Sequence, residues 1–399
     1  MKTLASLVIL LTFTLVIPSE VVGQDAKIKV SGPEKIEVDP EANFLVTKVF
    51  WPFCLTEDKL FVIPDPEART VKIFEKVFEG NKNYLKLVTA LGRDGFDETK
   101  KFNEPRYCFY VPHKGNYKGT LGVFDYSTNH SERKAFIFAR TGKVEFTPIK
   151  TVNCPRFAYD MEFSGDGRQL IVSGYTTDEN NQPFDLYSIN IEDGKTSYLL
   201  ASHEKYGLKN FDEYVSVYRQ EQILPGMGIK AYIDIAGDHL YFAWECSPRI
   251  TALKLCPTGQ REEKRVFKDE DDINRKVSNF VELGKEDRIK MGTDYRKRTF
   301  SAVLRKQKKQ AYVRNLFATS KYVFLVYEKA KSNQNAGSEK FRLLTYTPEG
   351  KLLCDVPMAG SPGKQMWLDE QSLELYAFSD TSGNNGKLSI LKYKVQETK

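Results

Sequence analysis

The chain of 399 residues is 41% hydrophobic, 28% charged and 13% aromatic, a balance that excludes a disordered or collagen-like polymer and a multi-spanning membrane protein. Its length allows roughly two to three domains, or one large closed β domain. The net charge of +6 is a mild excess, and 21 Tyr with 26 Phe tilt the chain toward strands, whose pleated, half-buried surfaces suit aromatic side chains.

At the start, Met1 and Lys2 precede an apolar run from Leu4 to Pro18, and Val21-Val22-Gly23 offers the small residues a signal peptidase needs. This predicts a secretory leader over residues 1–23, with residues 24–399 forming a single exported domain, periplasmic or secreted. No cysteine stands at that point to carry a lipid anchor, and no later segment is apolar enough to span a bilayer. Six cysteines (Cys54, Cys108, Cys154, Cys246, Cys256 and Cys354) contain no CxxC pair, so neither a zinc site nor a thioredoxin-type motif is expected. Cys246 and Cys256 are close enough in sequence to meet across a hairpin, but spacing does not establish the bond.

Further along, Arg140-Thr141-Gly142-Lys143, Glu192-Asp193-Gly194-Lys195, Pro257-Thr258-Gly259-Gln260 and Pro348-Glu349-Gly350-Lys351 are similar turns, each between two runs of β-formers. Upstream of each lies another apolar strand, as in Gly122-Val123-Phe124 before Phe136-Ile137-Phe138, or Tyr322 to Val326 before Arg342-Leu343-Leu344. Six such antiparallel units can be traced, and no long amphipathic helix interrupts them. The last has only three strands, and the strand-like segment from Ala26 to Val38 is expected to supply the fourth and close the ring, which hides the sheet edges. The fold class predicted is therefore all-β, a six-bladed β-propeller. The longest irregular stretches are 202–230 and about 262–310; the latter holds Arg296-Lys297-Arg298 and Lys308-Lys309 and reads as a solvated basic loop. Nucleic acid is not an expected partner, and a monomer is expected.

Phe163-Ser164-Gly165-Asp166-Gly167-Arg168-Gln169-Leu170 resembles the F-S-x-D-G-x-x-L repeat of TolB-type propellers, with Gly165 where Pro is usual. Leu91-Gly92-Arg93-Asp94-Gly95-Phe96, leading to Phe102-Asn103-Glu104-Pro105, resembles the blade junction of NHL propellers. As a whole the chain resembles the exported six-bladed propellers of the TolB-like and NHL-like groups of bacteria. That resemblance implies localisation and a binding scaffold, and it implies no catalytic residues.

No HExxH, G-x-S-x-G, Walker A or dinucleotide fingerprint is present, so no catalytic residue is assigned. The pattern that stands out is a basic residue with an aromatic at the start of a unit. Pro105-Arg106-Tyr107 recurs as Pro155-Arg156-Phe157, and Lys230, Arg314 and Trp367 occupy similar places. In a propeller these side chains would ring one channel mouth, where guanidinium forks and aromatic faces suit an anionic ligand, either an acidic protein segment or a charged glycan. The competing reading has these arginines hydrogen-bonding strand-end carbonyls between blades. Some six-bladed propellers hold Ca²⁺ in the channel for lactone or ester hydrolysis. Asp160, Glu162 and Asp234 are the candidate ligands under that alternative, and no other cofactor is expected.

Overall fold

The structure is a computed structural model that describes residues 28–38, 53–79, 82–92, 102–112, 119–126, 133–155, 157–205, 208–214, 216, 230–245, 249–258, 260–267, 312–329, 340–360, 362–379 and 389–397. The leader, Arg156, Cys246, the junction at 93–101 and the basic stretch beyond 267 lie outside the described residues. No described helix is long and apolar enough to cross a membrane.

The described chain is almost wholly strand. It opens with β1 (Ile28–Val38), followed by β2 (Cys54–Leu55), β3 (Phe61–Asp65), β4 (Thr70–Glu79) and β5 (Lys82–Gly92). Next come β6 (Pro105–Val111), β7 (Thr120–Tyr126), β8 (Arg133–Arg140) and β9 (Phe146–Cys154), then β10 (Phe157–Phe163), β11 (Gln169–Thr177), β12 (Pro183–Asn190) and β13 (Thr196–Ala201). After a single helical turn, α1 (Ser202–Lys205), run β14 (Ala231–Ala236), β15 (His239–Trp244), β16 (Ile250–Leu255) and β17 (Arg261–Val266). The chain finishes with β18 (Tyr312–Ala318), β19 (Val323–Glu328), β20 (Phe341–Tyr346), β21 (Leu352–Met358), β22 (Pro362–Asp369), β23 (Glu374–Ser379) and β24 (Ser389–Glu397).

Four sheets are four-stranded meanders in strict sequence order: β6 to β9, β10 to β13, β14 to β17 and β18 to β21. The remaining eight strands form one sheet in the order β2-β3-β4-β5-β1-β24-β23-β22. As expected, β1 runs antiparallel to β24 and completes the last three strands, with Ile36 opposite Ile390. It also meets β5 in a short parallel pairing, Glu37 opposite Tyr84 and Val38 opposite Leu85, which stitches the N-terminal and C-terminal strands into one sheet. Glu34 reinforces the seam by accepting hydrogen bonds from Lys76 Nζ at 3.1 Å and Asn83 Nδ2 at 2.7 Å.

The first strands of successive sheets neighbour one another: β6 lies against β10, β10 against β14, β14 against β18 and β18 against β22, while β2 touches both β6 and β22. This radial arrangement of meanders is the β-propeller construction. The apolar core lies between sheets. Phe109 of β6 packs against Phe163 of β10 at 4.7 Å between ring centroids, and Val172 and Tyr187 of the next sheet close the same cluster.

The four glycine turns join the third strand of a sheet to its fourth, as the spacing predicts. Gly194 and Gly350 adopt φ of +75° and +98°, a region open to glycine because it has no Cβ. One boundary differs from expectation. Arg261–Val266 is the outer strand β17, not the start of an irregular loop, because it pairs with β16 while turning Arg261, Glu262, Glu263 and Lys264 to solvent, and charged side chains are how exposed edges are protected. Cys54, Cys108, Cys154, Cys256 and Cys354 are free thiols. Cys256 Sγ lies 2.8 Å from Thr258 Oγ1 rather than in a hairpin disulfide.

Candidate functional site

The inner strands β6, β10, β14, β18 and β22 converge on one cavity of about 570 Å³, β22 contributing its C-terminal end. Of the residues singled out by the basic-aromatic pattern, Arg106, Tyr107, Lys230, Arg314 and Trp367 all line it. Arg156 falls outside the described residues, and Phe157 opens β10 opposite Tyr175 of β11. Asp160, Glu162 and Asp234 line the same cavity, so the two groups of candidates share one space.

The cations are held very differently. Arg106 donates from Nε to Glu104 Oε1 at 2.8 Å, and its guanidinium lies 3.9 Å from the centroid of the Tyr126 ring. Arg133 stands over the same ring at 3.6 Å. Arg314 is nearly buried and donates from Nε to Glu328 Oε2 at 2.7 Å. Burial works against its charge, but Glu328, Tyr232 and Glu245 hold its pKa above the ordinary arginine value. Lys230, by contrast, is exposed, sits 5.8 Å from the Tyr159 ring and has no ion pair among the described residues. Thus Arg106 and Arg314 are each engaged by a nearby carboxylate, Glu104 two residues before it and Glu328 of the same sheet, not by a carbonyl of a neighbouring sheet in these contacts, while Lys230 keeps its ammonium open to the cavity.

The carboxylates divide in the same way. Asp160 accepts the Ile233 N–H of β14 at 3.0 Å on one oxygen; the other accepts the Met161 N–H at 3.2 Å and the Tyr107 hydroxyl of β6. One side chain therefore ties three inner strands together. Burial pushes its pKa up to about 7 despite these donors. Asp234 repeats the device one sheet on, accepting Ala318 N–H of β18 at 2.6 Å and Ile235 N–H at 2.8 Å. Its carboxyl is raised well above the ordinary range by burial and then by the charge of Glu370. The side chain of Glu162 has no hydrogen bond or ion pair with any described residue, while its backbone lies opposite Ile171 in the sheet. Burial, then Asp234, Asp160 and Glu370, push the carboxyl up strongly. Among the described residues no group of three or more His, Cys, Asp or Glu is arranged to hold a metal ion.

Tyr126, Arg133, Tyr159, Glu245 and Glu370 also line the cavity and were not singled out from the sequence. Tyr126 and Arg133 are opposite one another in the β7–β8 pairing. A hairpin register drawn from the strand lengths would have put them side by side.

No family model matches the chain, and no curated protein does. Several solved structures share its general course. An α-L-arabinofuranosidase of Fusarium graminearum, in complex with an iminosugar inhibitor, is similar at 12% identity, covering 92% of this chain and 98% of that one, with a TM-score of 0.47. Virginiamycin B lyase of Staphylococcus aureus is similar at 8% identity over 92% and 99% of the two chains, TM-score 0.41. The Dos1 propeller is similar at 7% identity over 88% and 68%, TM-score 0.40. No residue role is carried from these proteins to this chain.

Proposed function

We propose that residues 24–399 form a single six-bladed β-propeller, exported after loss of residues 1–23, that serves as a recognition module for an anionic ligand or an acidic segment of a partner protein. The eight-stranded sheet counts as two blades in this reading, its halves meeting at the short β1–β5 pairing. The observation that carries the function is Lys230, an open ammonium in a cavity of about 570 Å³ whose other cations are anchored against Tyr126 and Glu328. A rigid ring with an aromatic-lined, cation-bearing concavity suits capture of a ligand carrying carboxylate or sulfate groups. Asp160 and Asp234 use their oxygens on backbone N–H groups, which favours binding over calcium-assisted hydrolysis as the reading of this cavity.

The test is binding of trigalacturonate, pentaglutamate and inorganic sulfate to the purified protein and to Lys230→Ala. At least one anion should bind, and the variant should lose about tenfold in affinity, the worth of one charge-assisted hydrogen bond. Unchanged affinity in a folded variant removes Lys230 from the site. A thermal midpoint that climbs with added calcium would instead support the hydrolase reading.

A further inference from the structure

The cavity holds four cations, Arg106, Arg133, Lys230 and Arg314, against five carboxylates, Asp160, Glu162, Asp234, Glu245 and Glu370. Two of the cations are already matched by carboxylates outside this lining, Arg106 by Glu104 and Arg314 by Glu328. An anion entering such a space adds negative charge where negative charge is already crowded.

Glu162 and Glu370 are two of these carboxylates with no hydrogen-bond donor or ion pair among the described residues; the surroundings of Glu162 show the crowding. Glu162 faces Asp160 on its own strand, Asp234 on β14 and Glu370 just beyond β22, and its charge reaches the Cys54 thiol of β2. The cavity cations come from β6, β8, β18 and the residue before β14. Asp234 has two backbone N–H donors to stabilise its charge, whereas Glu162 has no donor among the described residues. Both carboxyls hold their protons more tightly than ordinary side chains do, through burial first and through their carboxylate neighbours second.

We propose that the cavity binds its anion together with a proton, taken up by the carboxyls that line it. The inference rests on the anion-binding reading above and adds its regulation. Linkage makes the consequence reciprocal: an anion that raises the proton affinity of these carboxyls is itself bound more tightly when they are protonated. No covalent bond changes; a proton moves from solvent to a carboxylate oxygen as the anion enters.

The experiment is isothermal titration of the full chain with trigalacturonate, pentaglutamate and inorganic sulfate at pH 6, 7 and 8, each in two buffers of different ionisation enthalpy. The expected result is a gain of about tenfold in affinity from pH 8 to pH 6, with net uptake of close to one proton per anion. Glu162→Gln should bind more tightly than the parent at pH 8 and lose most of the pH dependence. Should that variant fail to fold, Glu370→Gln at an exposed turn should move affinity in the same direction by a smaller factor. Binding that is equal at pH 6 and pH 8 without proton uptake overturns the coupling and leaves the anion reading intact. Absence of binding by all three anions at every pH overturns both. A Glu162 carboxyl that titrates in the ordinary glutamate range by carbon-13 NMR of the free protein overturns the coupling by itself.

Discussion

Asp160→Asn separates the two things Asp160 does, accepting bonds from three strands and carrying a charge in a buried place. Its carboxyl is pushed up to about 7 from an ordinary 3.8. A raised value means that the folded chain keeps a proton that the unfolded chain has released between about pH 4 and pH 7, so stability from this group falls as the pH climbs through that window. Three units at about 1.4 kcal/mol each make the ionised form a burden of about 4 kcal/mol above pH 7, shrinking to about 1.5 kcal/mol at pH 5. Asparagine removes the charge and keeps one acceptor, which leaves one donor poorly served at a cost of about 1–2 kcal/mol. The variant should therefore be more stable than the parent by about 2–3 kcal/mol at pH 8 and about equal to it at pH 5. Urea denaturation of both proteins at the two pH values, read by tryptophan fluorescence and far-UV circular dichroism, measures the difference. A gap between variant and parent that is the same at pH 5 and pH 8 refutes the assignment of a costly charge to Asp160.

Other perturbations probe the frame around the site. Arg140 is fully buried and pairs with Glu57 at 3.1 Å and Asp58 at 2.7 Å, so Arg140→Met should cost about 2–4 kcal/mol in urea melts by stranding these carboxylates. A Cβ added at Gly122 would run into the ring of Phe109, which is itself fully buried. Gly122→Ala should lose about 1–3 kcal/mol, and Phe109→Leu in the same chain should recover part of it, a coupling that a double-mutant cycle reads directly. Deleting residues 28–38 would bare the edges of β24 and β5, and should convert a cooperative melt into a broad one with concentration-dependent aggregation by light scattering.

How much of this could be read in advance depended on the range of the interaction. The turn at Glu192 to Lys195 was legible because a local rule, glycine at positive φ between two β-forming runs, decides it, and Gly194 obeys that rule. The pairing of β1 with β24 was legible because the last three strands left an edge to cover. The outer strand β17 reads as loop from residue 262 because Glu262, Glu263 and Lys264 have loop composition, and only the edge position in the sheet explains their charges. The link from Asp160 to Ile233 spans 73 residues and ends on a backbone N–H, which carries no residue-type signal at all. Glu370 has the same difficulty, being a turn residue whose electrostatic reach to Glu162 depends on how the sheet of β22 comes round toward the sheet of β10.

The sequence pattern treated Arg106, Lys230 and Arg314 as equivalent members of one ring, and the geometry separates them by what each guanidinium or ammonium already touches. A guanidinium that donates to a carboxylate while lying on a tyrosine face is fixed in orientation, and it shapes the cavity wall more than it attracts a ligand. Lys230 has a flexible stem and no ion pair or hydrogen bond from its ammonium among the described residues, though its charge reaches Asp160, so it can follow an incoming anion. The carboxylates sort by the same principle: Asp160 and Asp234 are committed to backbone donors across strand boundaries, and Glu162 is not. What distinguishes a binding group from a structural one here is therefore whether its hydrogen-bonding capacity is already used, and in this lining the side chains of Lys230, Glu162 and Glu370 have no hydrogen bond or ion pair among the described residues. They share one cavity, so an anion drawn to the ammonium enters beside carboxyls whose surroundings already favour the protonated form.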